Sequence, residues 1–95
     1  MNGQVEHDEE VSSIDLHCRL QLIVSGDVSG IIKIWNFRRQ LIREIKFMEP
    51  ISAVCFLNYE GDLIVGHKGK LSRIEAAHYL PDDSKYAVPN ASDLR

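Results

Sequence analysis

The sequence repeats itself. Val11, Ile14, Leu16 and Gly26 return as Ile51, Val54, Phe56 and Gly66, and Gly30, Ile32 and Trp35 return as Gly69, Leu71 and Ile74. The period is about forty residues, with one residue lost from the second copy's turn. Chance matches isolated apolar positions readily, but matching the paired glycines and the order of the segments as well is far rarer. A unit of this size cannot bury its apolar face alone, so each copy must stack on a neighbour.

Within each copy the apolar residues come in short runs, dense in β-branched residues and without helical spacing, which predicts strands. The first copy reads as strands from Val11 to Cys18, Leu20 to Ser25, Ile31 to Asn36 and Gln40 to Phe47. The tract Gly26-Asp27-Val28-Ser29-Gly30 makes the tight connection between the second and third, because glycine accepts positive φ and small polar side chains bond locally to the backbone. The second copy reads as strands from Ile51 to Asn58, Asp62 to Gly66 and Lys70 to Glu75, with turns at Asn58-Tyr59-Glu60-Gly61 and His67-Lys68-Gly69. Pro50 opens the first of these, where its missing donor is tolerable. From Ala76 onward the pattern weakens, Pro81 to Ser84 marks an exit, and Tyr86, Ala87 and Val88 are all that could form a further strand. A period near forty with up to four strands is the pattern of a propeller blade. The expected fold is therefore all-β: two four-stranded antiparallel propeller blades, the second incomplete, within a larger or partner-completed β-propeller. Residues 1–6 form an acidic lead-in, 7–47 the first blade, 48–80 a degenerate partial blade and 81–95 a polar tail.

These segments resemble the WD-repeat family. His7 stands where that family's blade carries a histidine, followed by V-S-S-I-D-L at Val11 to Leu16, L-I-V-S-G at Leu22 to Gly26 and G-I-I-K-I-W-N at Gly30 to Asn36. The second copy keeps A-V-C-F and G-D-L-I-V-G, with Ile74 in place of the tryptophan. The resemblance covers roughly His7 to Glu75 and implies a hydrogen-bonded network of His, Ser, Asp and Trp, which maps onto His7, Ser25, Ser29 and Trp35. Three departures weaken the match: Glu6 for the glycine, Asn36 for the closing aspartate, and Ser29 for the acid, so that the network is expected to lack its acidic member. The wording K-I-W-N, E-P-I-S-A-V-C-F-L-N and G-D-L-I-V-G-H also resembles large WD-repeat proteins of the ciliary axoneme.

Composition narrows the function classes. At 95 residues, 44% hydrophobic and 26% charged, the chain is one small folded unit that buries only about 60–65% of its unfolded surface. No apolar run reaches the roughly 20 residues of a membrane span, and Glu6, Asp8, Glu9 and Glu10 stand where a signal peptide would be basic and then apolar. A cytoplasmic location is expected, with cilium, axoneme or cytoskeleton as the narrower reading. Cys18 and Cys55, single and within apolar segments, are expected to be small buried hydrophobes. His7, His17, His67 and His78 match no compact metal-ligand spacing, so neither metal nor other cofactor is expected; His67 reads as a turn residue facing solvent.

Ser25, His7 and Asp27 can be written as a hydrolytic triad, but no nucleophile elbow surrounds the serine, and the glycines form no phosphate loop. Trp35 is expected to pack between blades. Arg38, Arg39, Arg43 and Lys46 fall on and beside the fourth strand, where cations guard an exposed edge or dock an acidic partner. The sequence thus predicts a non-catalytic protein-interaction or scaffold module whose partners are other proteins, acidic surfaces and further blades in cis or trans, with no small-molecule substrate and no membrane. The alternatives are a regulatory propeller accessory to an enzyme and, third, a nucleic-acid module using the basic central segment.

Overall fold

The computed structural model describes His7 and residues 9–80; the polar tail 81–95, the segment 1–6 and Asp8 lie outside the described residues. Seven strands follow in order: β1 (Val11–His17), β2 (Leu22–Asp27), β3 (Ile31–Asn36), β4 (Leu41–Lys46), β5 (Ala53–Phe56), β6 (Leu63–His67) and β7 (Lys70–Ile74). They form two antiparallel sheets, β1-β2-β3-β4 and β5-β6-β7, and a 3-10 turn over Ala76–His78 follows the second. The fold is all-β, with blade-like meanders in which every strand pairs with its neighbour in sequence.

The strand ends differ from the expectation where local bonding captures the backbone. Residues 18–21 turn, with the Gln21 amide donating to Cys18 O at 3.2 Å, so β2 starts at Leu22. Asn58 Oδ1 accepts the amides of Gly61 and Asp62, which draws Asn58 out of β5 into an Asx-type turn.

The repeat holds at the level of hydrogen-bond register. Ile14 faces Ser25 and Leu16 faces Ile23 in the first sheet, as Val54 faces Val65 and Phe56 faces Leu63 in the second. Likewise Ile23 faces Trp35 and Gly26 faces Ile32, as Leu63 faces Ile74 and Gly66 faces Leu71. Directly opposed residues share a sheet face, so equivalent residues lie on equivalent faces of the two sheets.

The core lies between the sheets. Leu22, Val24, Ile32 and Ile34 on one face of the first sheet meet Ile51, Val54, Leu63 and Val65 of the second. Polar groups pin the innermost strands together: Ser13 Oγ donates to Val54 O and accepts the Val54 amide, both at 3.1 Å, and Asp15 Oδ2 accepts the Phe56 amide at 2.8 Å. His17 accepts the Leu20 amide on Nδ1, which leaves Nε2–H to donate to Asn58 O at 2.9 Å. The sequence signalled little order beyond Ala76, yet Tyr79 is fully buried, donates its hydroxyl to Gly61 O and accepts Arg43 Nε at its carbonyl. Burial, then the charge of Asp62, pushes its phenol pKa well up.

Both cysteines are exposed, against the expectation that they would be buried. Cys18 falls in the turn after β1, and Cys55 shares the face of β5 with Ala53, turned away from the core residue Val54.

Gly30 has φ +99°, and a Cβ there would stand 2.7 Å from Glu49 O and 2.8 Å from Glu49 N; Gly69 has φ +75° with open space around it. Gly69→Ala is expected to cost about 1 kcal/mol through backbone strain alone. Gly30→Ala must also move the Glu49 backbone and is expected to cost about 2–4 kcal/mol, as urea unfolding followed by circular dichroism would read.

Candidate functional site

Ser25 and Asp27 alternate on β2, and so project from the same face of the first sheet, opposite to the face that carries Val24. On that face Trp35 of β3 extends its indole to Ser25, and His7, from the segment before β1, closes over both polar residues. The bond directions follow from the chemistry of the ends. An indole N–H can only donate, so Trp35 Nε1 donates to Ser25 Oγ at 3.1 Å. An ionised carboxylate can only accept, so His7 Nδ1–H donates to Asp27 Oδ2 at 2.7 Å. With the imidazole neutral, Ser25 O–H then donates to His7 Nε2, at 2.7 Å. The second carboxylate oxygen of Asp27 accepts the Ser29 amide at 2.9 Å, the Ser29 hydroxyl at 2.7 Å and the Ile31 amide at 3.0 Å.

The acidic member of the network is therefore present. It is Asp27, two residues before the position where the sequence pattern lacked it, and Ser29 serves as its donor. Burial on its own would raise the Asp27 pKa; the bonds from Ser29, Ile31 and His7 outweigh it and lower the value to about 2. Trp35 is buried on this same sheet face, away from the core shared with the second sheet, and the Lys33 ammonium lies 5.8 Å from its ring centroid.

The order Ser25, His7, Asp27 has the hydrogen-bond connectivity of a catalytic triad. A nucleophilic serine must also let a substrate carbonyl approach its oxygen. Ser25 is fully buried and its oxygen already receives the Trp35 indole, so this relay holds the β2–β3 turn and the lead-in segment together.

A second, unforeseen cluster joins the sheets. His67 is buried, not turned to solvent, and its ring nitrogens lie 2.6 Å from Glu49 Oε1 and 2.7 Å from Ser72 Oγ. Phe47 stacks edge-on against it, centroids 4.5 Å apart. The bond to His67 is the first cause of a lowered Glu49 pKa. By the repeat offset, His67 occupies the place of Asp27 and Phe47 that of His7, the clue the sequence held. In the second sheet, Asp62 is held below its ordinary pKa although burial would raise it, because the Ala76 amide, the Arg73 guanidinium and Asn58 donate to it. Among the described residues no group of three or more His, Cys, Asp or Glu is placed to hold a metal ion.

The four candidate cations do not share one surface. Arg43 faces Ile34 and Lys46 faces Ile31 across the β3–β4 pair, which puts them on opposite faces, and Arg43 is bonded to Tyr79 O. Arg38 and Arg39 lie in the exposed turn between β3 and β4. There Asn36 Oδ1 accepts the amides of Arg38 and Gln40, both at 2.9 Å. A groove of about 380 Å³ runs between this turn and the turn after β1, lined by Arg19, Gln21, Phe37, Arg38 and Gln40. Arg19 stacks on Tyr59 at 4.0 Å and donates to Tyr59 O.

No family model matches the chain. Among solved structures, it is similar to the computationally designed protein Ika4, with a TM-score of 0.65 and 21% identity over 79% of this chain and 49% of that one. It is also similar to the β-propeller domain of Cps50 (Swd1) from Myceliophteria thermophila, with a TM-score of 0.58 and 12% identity over 74% of this chain and 26% of that one. The chain thus spans about half of the first and a quarter of the second, and the likeness establishes a propeller-type fold.

Asp27 binds its proton less readily when folded, so the stability it contributes is complete above the unfolded carboxylate range near pH 4 and fades as pH falls towards 2. Urea unfolding between pH 6 and pH 2.5 is expected to lose about 2 kcal/mol through this group, and Asp27→Asn should flatten that loss. Ser25→Ala leaves the Trp35 donor and the His7 ring nitrogen without partners and is expected to cost about 1–3 kcal/mol at neutral pH by the same measurement.

Proposed function

We propose that this chain is a non-catalytic protein-interaction module, an arc of a β-propeller that receives an acidic segment of a partner protein in the groove between its β1–β2 and β3–β4 turns. The observation that carries the reading is that Arg19, Arg38 and Phe37, the last 44% exposed, line the same groove. Cations beside an accessible aromatic ring suit a carboxylate-rich peptide with an apolar side chain: the charges guide encounter and the ring supplies buried area. The turn that carries Phe37 and Arg38 is held by Asn36, so little ordering is needed there on binding.

Two features support a binding role over catalysis. The Ser25, His7 and Asp27 groups are consumed in the blade, and the groove presents donors without a nucleophile or general base among its lining residues. The wider reading, a scaffold within a cytoplasmic, ciliary or cytoskeletal assembly, rests on the wording of the sequence. A regulatory propeller beside a catalytic region would use the same groove. The separation of Arg43 and Lys46 across the sheet disfavours a continuous cationic track for a nucleic-acid backbone.

Fluorescence anisotropy with a labelled glutamate-rich peptide containing one leucine tests this. Arg38→Glu is expected to weaken binding at least tenfold, and Lys46→Glu, at the far end of β4, by less than threefold. Equal losses from both variants, or tighter binding of a single-stranded oligonucleotide than of the peptide, would overturn the proposal.

A further inference from the structure

The two outer faces of the pair are the two halves of the contact that already joins its sheets. On the first sheet's outer face, Ile14 and Leu16 are each 55% exposed. Their register equivalents in the second sheet are Val54, 2% exposed, and Phe56, both in or against the inter-sheet core. On the second sheet's outer face Leu71 is 77% exposed, while its equivalent Ile32 is fully buried in that same core. Cys55, also exposed there, stands where the first sheet has Asp15, and half-buried Ile64 where it has buried Val24. Ile14, Leu16 and Leu71 each have a covered twin, which puts the two open faces on opposite sides of one kind of joint.

We infer that a second copy of this chain covers these faces, head to tail, the first sheet's Ile14 and Leu16 seating on the outer face of the neighbouring copy's second sheet as Val54 and Phe56 seat on the core face of the first sheet. The contact is heterologous, and repeated heterologous contacts close into a ring when the rotation between units permits. Propellers close with four to eight blades, so two-sheet copies close as two, three or four. The chain matches 26% of a propeller domain, which favours the upper end, three or four copies. This joint is separate from the groove above, and its failure leaves the peptide reading standing.

Light scattering after size exclusion decides it. The wild-type chain at tens of micromolar is expected at three or four times its 10.8 kDa mass. Leu16→Asp and Leu71→Asp each spoil one end only, so each alone is expected to be monomeric. Mixed one to one, they still offer one intact Leu71 end and one intact Leu16 end, and are expected to form a dimer that cannot grow. A wild-type monomer, folded or unfolded, overturns the inference and points to further blades of a longer chain as the cover. Dimers formed by either single variant without the other overturn it in favour of a face-to-face contact.

Discussion

Everything in this molecule depends on burying one face of each sheet against the other. A lone three- or four-stranded sheet leaves an apolar face in water, and the inter-sheet core of Leu22, Val24, Ile32 and Ile34 against Ile51, Val54, Leu63 and Val65 removes that cost for one face of each. Most of the other features serve to set the sheets at the distance and angle this requires. Gly30 lets the Glu49 backbone pass close to the β2–β3 turn, and Gly61 leaves room for Leu20 and the Tyr79 hydroxyl. Tyr79 in turn bonds to Gly61 on one side and Arg43 on the other, tying the exit of the second sheet to the outer strand of the first.

The two histidine clusters stiffen different parts of that frame. His7, with Ser25, Asp27 and Trp35, ties a lead-in segment and a turn to a single sheet. His67, with Glu49 and Ser72, ties the linker between the sheets to the edge strand of the second. Both are acid, imidazole and hydroxyl in series; Ser25 and Asp27 of the first are fully buried, whereas His67 of the second is buried between half-buried Glu49 and Ser72. The likeness of the first to a catalytic relay is a matter of connectivity, and the burial of Ser25 separates the two uses.

Much of the fold was legible because strand faces and turns leave period-two and glycine signals. Ile31–Asn36 coincides with its expected strand, and the repeat offset reproduces the observed register pair by pair. What escaped depended on side chains meeting across the chain. The resemblance puts the acid at position 29, whereas Asp27, which alternates with Ser25 on the same strand face, takes that role. The polar turn at His67 points to solvent on sequence alone, and only the packing of Phe47 and the reach of Glu49 bury the ring. The exposure of the cysteines is not legible, because an apolar run does not say which of its alternate residues points to a neighbour. Arg43 and Lys46 looked like one patch by proximity in sequence, and the register of β4 sends them to opposite faces.

The pinning of β1 to β5 by Ser13 and Asp15 has no echo on the second sheet, where the equivalent positions are Ala53 and Cys55. Directional bonds to the Val54 and Phe56 amides admit one alignment of the strands, because a slip by one residue would point those donors the wrong way. Apolar contact alone admits several alignments of similar energy. The joint inside the chain is thus keyed like a lock, whereas the outer face of the second sheet has no counterpart of Ser13 and Asp15 to turn that key.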